Sequence, residues 1–146
     1  MSRVTNRITI RRPIEEVFAV LTDVEKTGRW FPGDVEEHWT SPPPHGAGST
    51  RHAVVTMFGR RSENDAITTE YRPPYRAAMR GTSPNAPFLV TLTFAAVDEG
   101  TRVEVTSEIG LRGATRLFGP LVVAVYGRGW ARGLARLKQM MESGAL

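Results

Sequence analysis

Hydrophobic positions change their period three times along the chain. Val4, Asn6, Ile8 and Ile10 share one face while Thr5, Arg7 and Thr9 share the other, the two-residue period of a half-buried strand over 4–10. Pro13 then opens a helix over 14–22, in which Ile14, Val17, Phe18 and Leu21 make an i, i+3, i+4, i+7 stripe. Glu15 and Glu16 sit at its positive end, where carboxylates are favoured. Asp23 is placed to cap a second helical stretch over 24–31, which Phe31-Pro32-Gly33 ends.

The period then returns to two. Strands are predicted over 35–40, 50–58, 61–71, 75–82, 88–97 and 101–109, divided by Pro42-Pro43-Pro44, Gly59, Pro73-Pro74, the loop between Pro84 and Pro87, and Asp98-Glu99-Gly100. Short connections between consecutive strands imply an antiparallel meander. Val90, Leu92 and Phe94 oppose Thr91 and Thr93, and Val103, Val105, Ser107 and Ile109 oppose Glu104, Thr106 and Glu108. A sheet with one apolar face must be covered. Strand 50–58 is apolar in both registers, so alternation leaves open whether Val55 and Met57 or Val54 and Phe58 face inward.

The last segment supplies the cover. Val123, Gly127, Trp130, Leu134, Leu137 and Met141 recur at helical spacing, and Arg128, Arg132 and Arg136 form a neighbouring charged row. Pro120 suits the first turn, and a helix over 120–142 reaches about 35 Å, enough to cross a small domain. Gly127, Gly129 and Gly133 lie in its interior, each costing roughly 1 kcal/mol against Ala. Small residues there either leave room for a pocket or allow close packing on the sheet. The expected fold class is α+β: a seven-stranded antiparallel sheet wrapped around a long C-terminal helix, with two short helices after the first strand.

Composition narrows the function classes. The chain has 146 residues, 40% hydrophobic and 23% charged, and no cysteine. It reads as a single domain over 1–146, without disulfides, thiolate metal sites or a cysteine nucleophile. Residues 1–12 carry four arginines and lack the apolar run of a secretory signal. The longest apolar patch, 117–126, is short of the roughly 20 residues a bilayer span requires, so a cytoplasmic protein is expected. A net charge of +4 and a pI near 10.1 invite a nucleic-acid reading. The arginines are nevertheless spread along the chain and often sit near Glu or Asp, and no helix-turn-helix, zinc-finger or RNA-binding signature accompanies them. No specific nucleic-acid partner is expected.

Taken in order, residues 10–23 (IRRPIEEVFAVLTD), 30–33 (WFPG), 59–61 (GRR), 70–74 (EYRPP), 100–103 (GTRV) and 134–138 (LARLK) resemble the SRPBCC or START-like (Bet v 1-like) superfamily. Within it the chain is most similar to the bacterial polyketide cyclase/dehydrase and lipid-transport branch. The resemblance covers essentially the whole chain and implies the helix-grip fold, with a cavity between sheet and long helix. It implies binding or transport of a small hydrophobic partner of lipid, polyketide or aromatic type by a monomer or homodimer. The alternatives are a cyclase or dehydratase using the same cavity, or a protein-interaction module. Inward acid or base groups favour the enzyme, an all-apolar cavity the carrier, and absence of a cavity the interaction module.

Such pockets are lined by aromatic, aliphatic and thioether groups with a few oriented polar ones. The candidates are Trp30, Trp39, Met57, Phe58, Tyr71, Met79, Phe88, Leu92, Phe94, Leu121, Gly127 and Trp130. For catalysis, Asn6, His52 and Glu70 could face inward, and Arg76 or Arg80 could hold an oxyanion. No pair among them forms a recognisable dyad, and there is no GxSxG elbow or dinucleotide fingerprint. No catalytic residue is assigned, and a binding protein is expected before an enzyme. His38, His45 and His52 are spaced by seven, but a triple-proline stretch separates the first two and no known ligand spacing is present. Neither metal nor organic cofactor is expected.

Overall fold

A computed structural model describes residues 2–57, 59–82, 87–110 and 117–146. The chain runs β1 (Ser2–Ile10), α1 (Ile14–Thr22), a 3-10 turn (Val24–Lys26), α2 (Thr27–Trp30), β2 (Asp34–Trp39), β3 (Thr50–Met57), β4 (Arg60–Arg72), β5 (Arg76–Gly81), β6 (Phe88–Val97), β7 (Gly100–Ile109) and α3 (Gly119–Glu142). The seven strands form one antiparallel sheet in the order β1-β7-β6-β5-β4-β3-β2. Strands β2 to β7 follow the chain as a meander, while β1 pairs with β7 at the far edge from β2. The sheet curls into a half-barrel with α3 against its concave face, the helix-grip arrangement.

Element ends follow local chemistry. Asp23 Oδ1 accepts from the Glu25 N–H at 3.1 Å, capping the 3-10 turn. The predicted helix 24–31 divides into that turn and the four-residue α2. The backbone of α2 lies so close against β2 that a Cβ on Gly28 would collide with the Val35 carbonyl oxygen. At the other end of the chain, Lys138 Nζ donates to the Thr9 carbonyl at 2.7 Å and the Arg11 N–H donates to Glu142 at 2.9 Å. These bonds tie the end of α3 to β1.

The core lies toward the C-terminal half of α3. Leu134, Leu137 and Met141 are buried with Ile10, Val17, Phe18, Phe94, Val103 and Val105. Burying each such aliphatic side chain contributes about 1.5–3 kcal/mol. Val123, Gly127 and Trp130, on the same stripe but nearer the helix start, are only half-buried. The N-terminal half of α3 thus meets the sheet less closely, and space remains between them.

Strand pairing decides which side chains reach that space. In β3, Arg51 pairs with Trp39 and Ala66, Ala53 with Glu37 and Asn64, and Val55 with Val35 and Ser62. This row faces inward and His52 and Val54 face out. A bulge between Thr68 and Glu70 shifts the β4–β5 register, so Thr68 and Tyr71 come to the same concave face although they are three residues apart.

Candidate functional site

A partly open cavity of about 410 Å³ lies between the inner face of β2–β6, α2 and the N-terminal half of α3. Most of its wall is apolar: Trp30 and Phe31 beside α2, Val35 and Trp39 from β2, Ala53 and Val55 from β3, Met79 from β5, Val90 and Leu92 from β6, and Val125 and Trp130 from α3. The rings of Trp30, Phe31 and Trp130 pack together with centroids 5.2–6.0 Å apart. The indole N–H groups of Trp30 and Trp130 are buried without a hydrogen-bond partner in the protein.

The charged groups on this wall, among the described residues, form one cluster. Arg51 Nε lies 3.2 Å from Glu37 Oε2, with the two side chains only 8% and 13% exposed. The guanidinium also donates to Asn64 Oδ1 at 2.5 Å and to Met79 Sδ at 3.1 Å, and stands 5.8 Å from the centre of the Phe88 ring. Burial raises the Glu37 pKa, partly offset by Arg51 and by a hydrogen bond from Thr27. Burial likewise lowers the Arg51 pKa, with Glu37 opposing it, and raises that of Tyr126. Alternation alone places Glu37 and Arg51 on the cavity face once the β3 register is known. The sequence pattern leaves that register open, so neither residue was expected there, nor were Phe31, Asn64, Val90 and Tyr126.

Of the side chains singled out in the sequence, Trp30, Trp39, Tyr71, Met79, Phe88, Leu92 and Trp130 lie on the cavity wall. Phe94 does not: it is buried in the core against Phe18, with ring centroids 5.1 Å apart. Leu121 is 62% exposed on the outer side of α3. Gly127 faces β1, where a Cβ would stand 3.1 Å from Val4 Cγ2 and where its carbonyl accepts from Asn6 Nδ2 at 3.1 Å. The glycine on the wall is Gly129, two residues on and so about 200° around the helix. Phe58 and the Met57 side chain lie outside the described residues.

The polar candidates are placed mostly outside. His52 is on the outer face, 2.7 Å from Asp65 and 3.3 Å from Glu63. Glu70 pairs with Arg76 and Arg72, and Arg80 is exposed. Asn6 does point inward, but toward α3. His38 and His52 face each other across β2 and β3 with rings 5.6 Å apart, while His45 stacks on Trp39 at 4.0 Å. Among the described residues no three His, Asp or Glu side chains are grouped as metal ligands.

Comparison with known proteins adds family and fold. A family model described as polyketide cyclase / dehydrase and lipid transport matches residues 1–142. The crystal structure of TTHA0849 from Thermus thermophilus superposes with a TM-score of 0.82 at 19% identity, covering 99% of each chain. SA2116 from Staphylococcus aureus, described as of unknown function, gives 0.77 at 11% identity over 98% of this chain and 94% of that one. NE0264 from Nitrosomonas europaea gives 0.76 at 16% identity over 99% and 97%. At these identities the likeness is one of fold alone. No curated protein matches the sequence.

Proposed function

The chain belongs to the polyketide cyclase/dehydrase and lipid-transport family, and from that premise we propose that it binds and carries a small, mostly apolar molecule in the cavity beneath α3. The observation that supports this is the wall itself: about 410 Å³ bounded chiefly by aromatic and aliphatic groups, with one charged pair among the described residues. That is the size and composition of a small-molecule site. Apolar ligand area is driven into it at about 25 cal/mol per Å². The polar end of the ligand belongs at the Glu37–Arg51–Asn64 cluster. Because that pair is charge-balanced and shielded from water, an uncharged hydroxyl or carbonyl fits it without adding net charge to a buried site.

Native mass spectrometry of protein taken from its source should reveal a co-purifying molecule, and an apolar fluorescent probe should bind with quenching of tryptophan emission. The Gly129→Leu variant is the sharper test. A Cβ there meets only Phe31 Cζ, at 3.9 Å, so leucine extends into the cavity and should weaken probe binding about tenfold without loss of stability. Absence of probe binding by the parent, or equal binding by the variant, would defeat the reading.

One observation favours a second reading, an enzyme of cyclase or dehydratase type. Glu37 is the only carboxylate among the cavity-lining residues described, and burial raises its pKa toward the range of a general acid or base. Under that reading Glu37→Gln abolishes turnover of a polyketide-like substrate while binding persists. Under the carrier reading there is no turnover to lose.

A further inference from the structure

From Ile109 to Met141 the sequence contains no aspartate or glutamate. Helix α3 occupies most of that stretch, and its outward face divides in two. Just before and within its first turns, Leu117, Phe118, Leu121 and Val125 are 84, 58, 62 and 43% exposed. Farther along the same face, at three- and four-residue spacing, come Arg128, Arg132 and Arg136, all exposed. Several arginines elsewhere have carboxylate partners: Arg7 with Glu104, Arg12 with Glu16, Arg61 with Glu63, and Arg72 and Arg76 with Glu70. The three on α3 have no ion-pair partner among the described residues.

We propose that this face of α3 docks on an anionic lipid bilayer, with Leu117, Phe118, Leu121 and Val125 entering the interface and Arg128, Arg132 and Arg136 lying along the head groups. Two features choose this occupant. Unpaired cations on an acid-free stretch of helix are complementary to anionic head groups, and an apolar patch continuous with them matches the layered polarity of a membrane surface. A nucleic-acid backbone would satisfy the arginines but not four exposed apolar side chains. The position has a consequence for access. Val125, and Tyr126 beside it, also line the cavity, so docking brings that border of the cavity to the bilayer. The helix lies on the surface and does not cross it, and no described helix is long and apolar enough to span a membrane.

The test uses the full chain with vesicles of phosphatidylcholine alone and of phosphatidylcholine mixed with phosphatidylglycerol, separated by flotation. The parent should bind the mixed vesicles, bind phosphatidylcholine weakly, and be released by raised salt. Arg128→Glu with Arg132→Glu should weaken binding to the mixed vesicles about tenfold or more, and Phe118→Asp should do so independently. These residues are exposed and off the cavity wall, so each variant should keep the parent's melting temperature and its probe binding in solution. Retained probe binding separates failure here from failure of the proposed ligand site. Equal affinity for both vesicle types, or unchanged binding by the variants, overturns the proposal. It is also overturned if the patch is covered by a second copy, seen as a dimer that Phe118→Asp dissociates, or if duplex DNA competes fully with vesicles.

Discussion

Arg51 stands directly opposite Trp39 in the β2–β3 ladder and reaches diagonally to Glu37, two residues back along β2, where Nε and Oε2 are 3.2 Å apart. The sheet wall therefore places both charges of an ion pair inside a cavity that is mostly apolar. Removing one partner of such a pair leaves an uncompensated buried charge, at a cost of about 3–5 kcal/mol, whereas replacing both is far less damaging.

Arg51→Met should accordingly lose about 3 kcal/mol of unfolding free energy. Adding Glu37→Gln in that background should recover much of the loss. Urea denaturation of the two single variants and the double closes the cycle, and strictly additive losses would show that the two charges do not depend on each other.

The outer-face histidine gives a pH dependence. Hydrogen bonding to Asp65 above all, and then to Glu63, raises the His52 pKa above 6.5. A raised pKa means that the folded state holds the proton more tightly. The stabilisation is fully present below pH 6.5 and is lost as pH rises through the folded value. The melting-temperature deficit of His52→Gln should be largest at mildly acidic pH and shrink as pH rises. The His52 midpoint followed by NMR should fall in Asp65→Asn.

Gly127, Gly129 and Gly133 in the interior of α3 should respond differently to substitution. Gly129 has only an ordinary contact at 3.9 Å, so Gly129→Ala should gain up to about 1 kcal/mol from helix propensity. At Gly133 the new methyl of an alanine meets Pro32, Trp30 and Phe31 at 3.2–3.3 Å, and the gain should be cancelled or reversed. Gly127→Leu should overpack against Val4 and cost about 1–3 kcal/mol. Thermal unfolding ranks them, and a destabilised Gly129→Ala would contradict the placement of that residue on the cavity.

Two leucines of α3 mark its inner and outer sides. Leu137 is fully buried, and Leu137→Ala should cost about 2–5 kcal/mol. Leu121, 62% exposed, should change stability by no more than about 0.5 kcal/mol on truncation. Chemical denaturation of both variants checks the orientation of the helix.

Periodicity and turn chemistry were sufficient for the elements. Alternation in β1, β6 and β7, the stripe Ile14–Val17–Phe18–Leu21 and the glycine and proline breaks place seven strands and the long helix to within about two residues, because each element must bury one face. The family was legible for the same reason, since its motifs are mostly turns and core positions. Much of the aromatic wall followed, because large apolar groups on an inward face reach either the core or the cavity.

Which of those two they reach was decided by the tertiary structure. Phe94 and Leu92 share an alternating face, yet Phe94 packs into the core on Phe18 while Leu92 lines the cavity, because over its N-terminal half α3 leans on β1 and stands away from the β2–β6 face. The β3 register, and with it the inward Arg51, depends on pairing with Trp39 and Ala66 on neighbouring strands, which a strand apolar on both faces does not encode locally. The bulge between Thr68 and Glu70 brings Tyr71 to the wall by breaking the two-residue period on which alternation relies. Gly127 and Gly129 are equivalent in the sequence, each a glycine in one amphipathic helix. Only the packing of α3 against β1 puts the first in a tight contact and the second beside open space, because local pattern specifies which face is buried and not how near its neighbour comes.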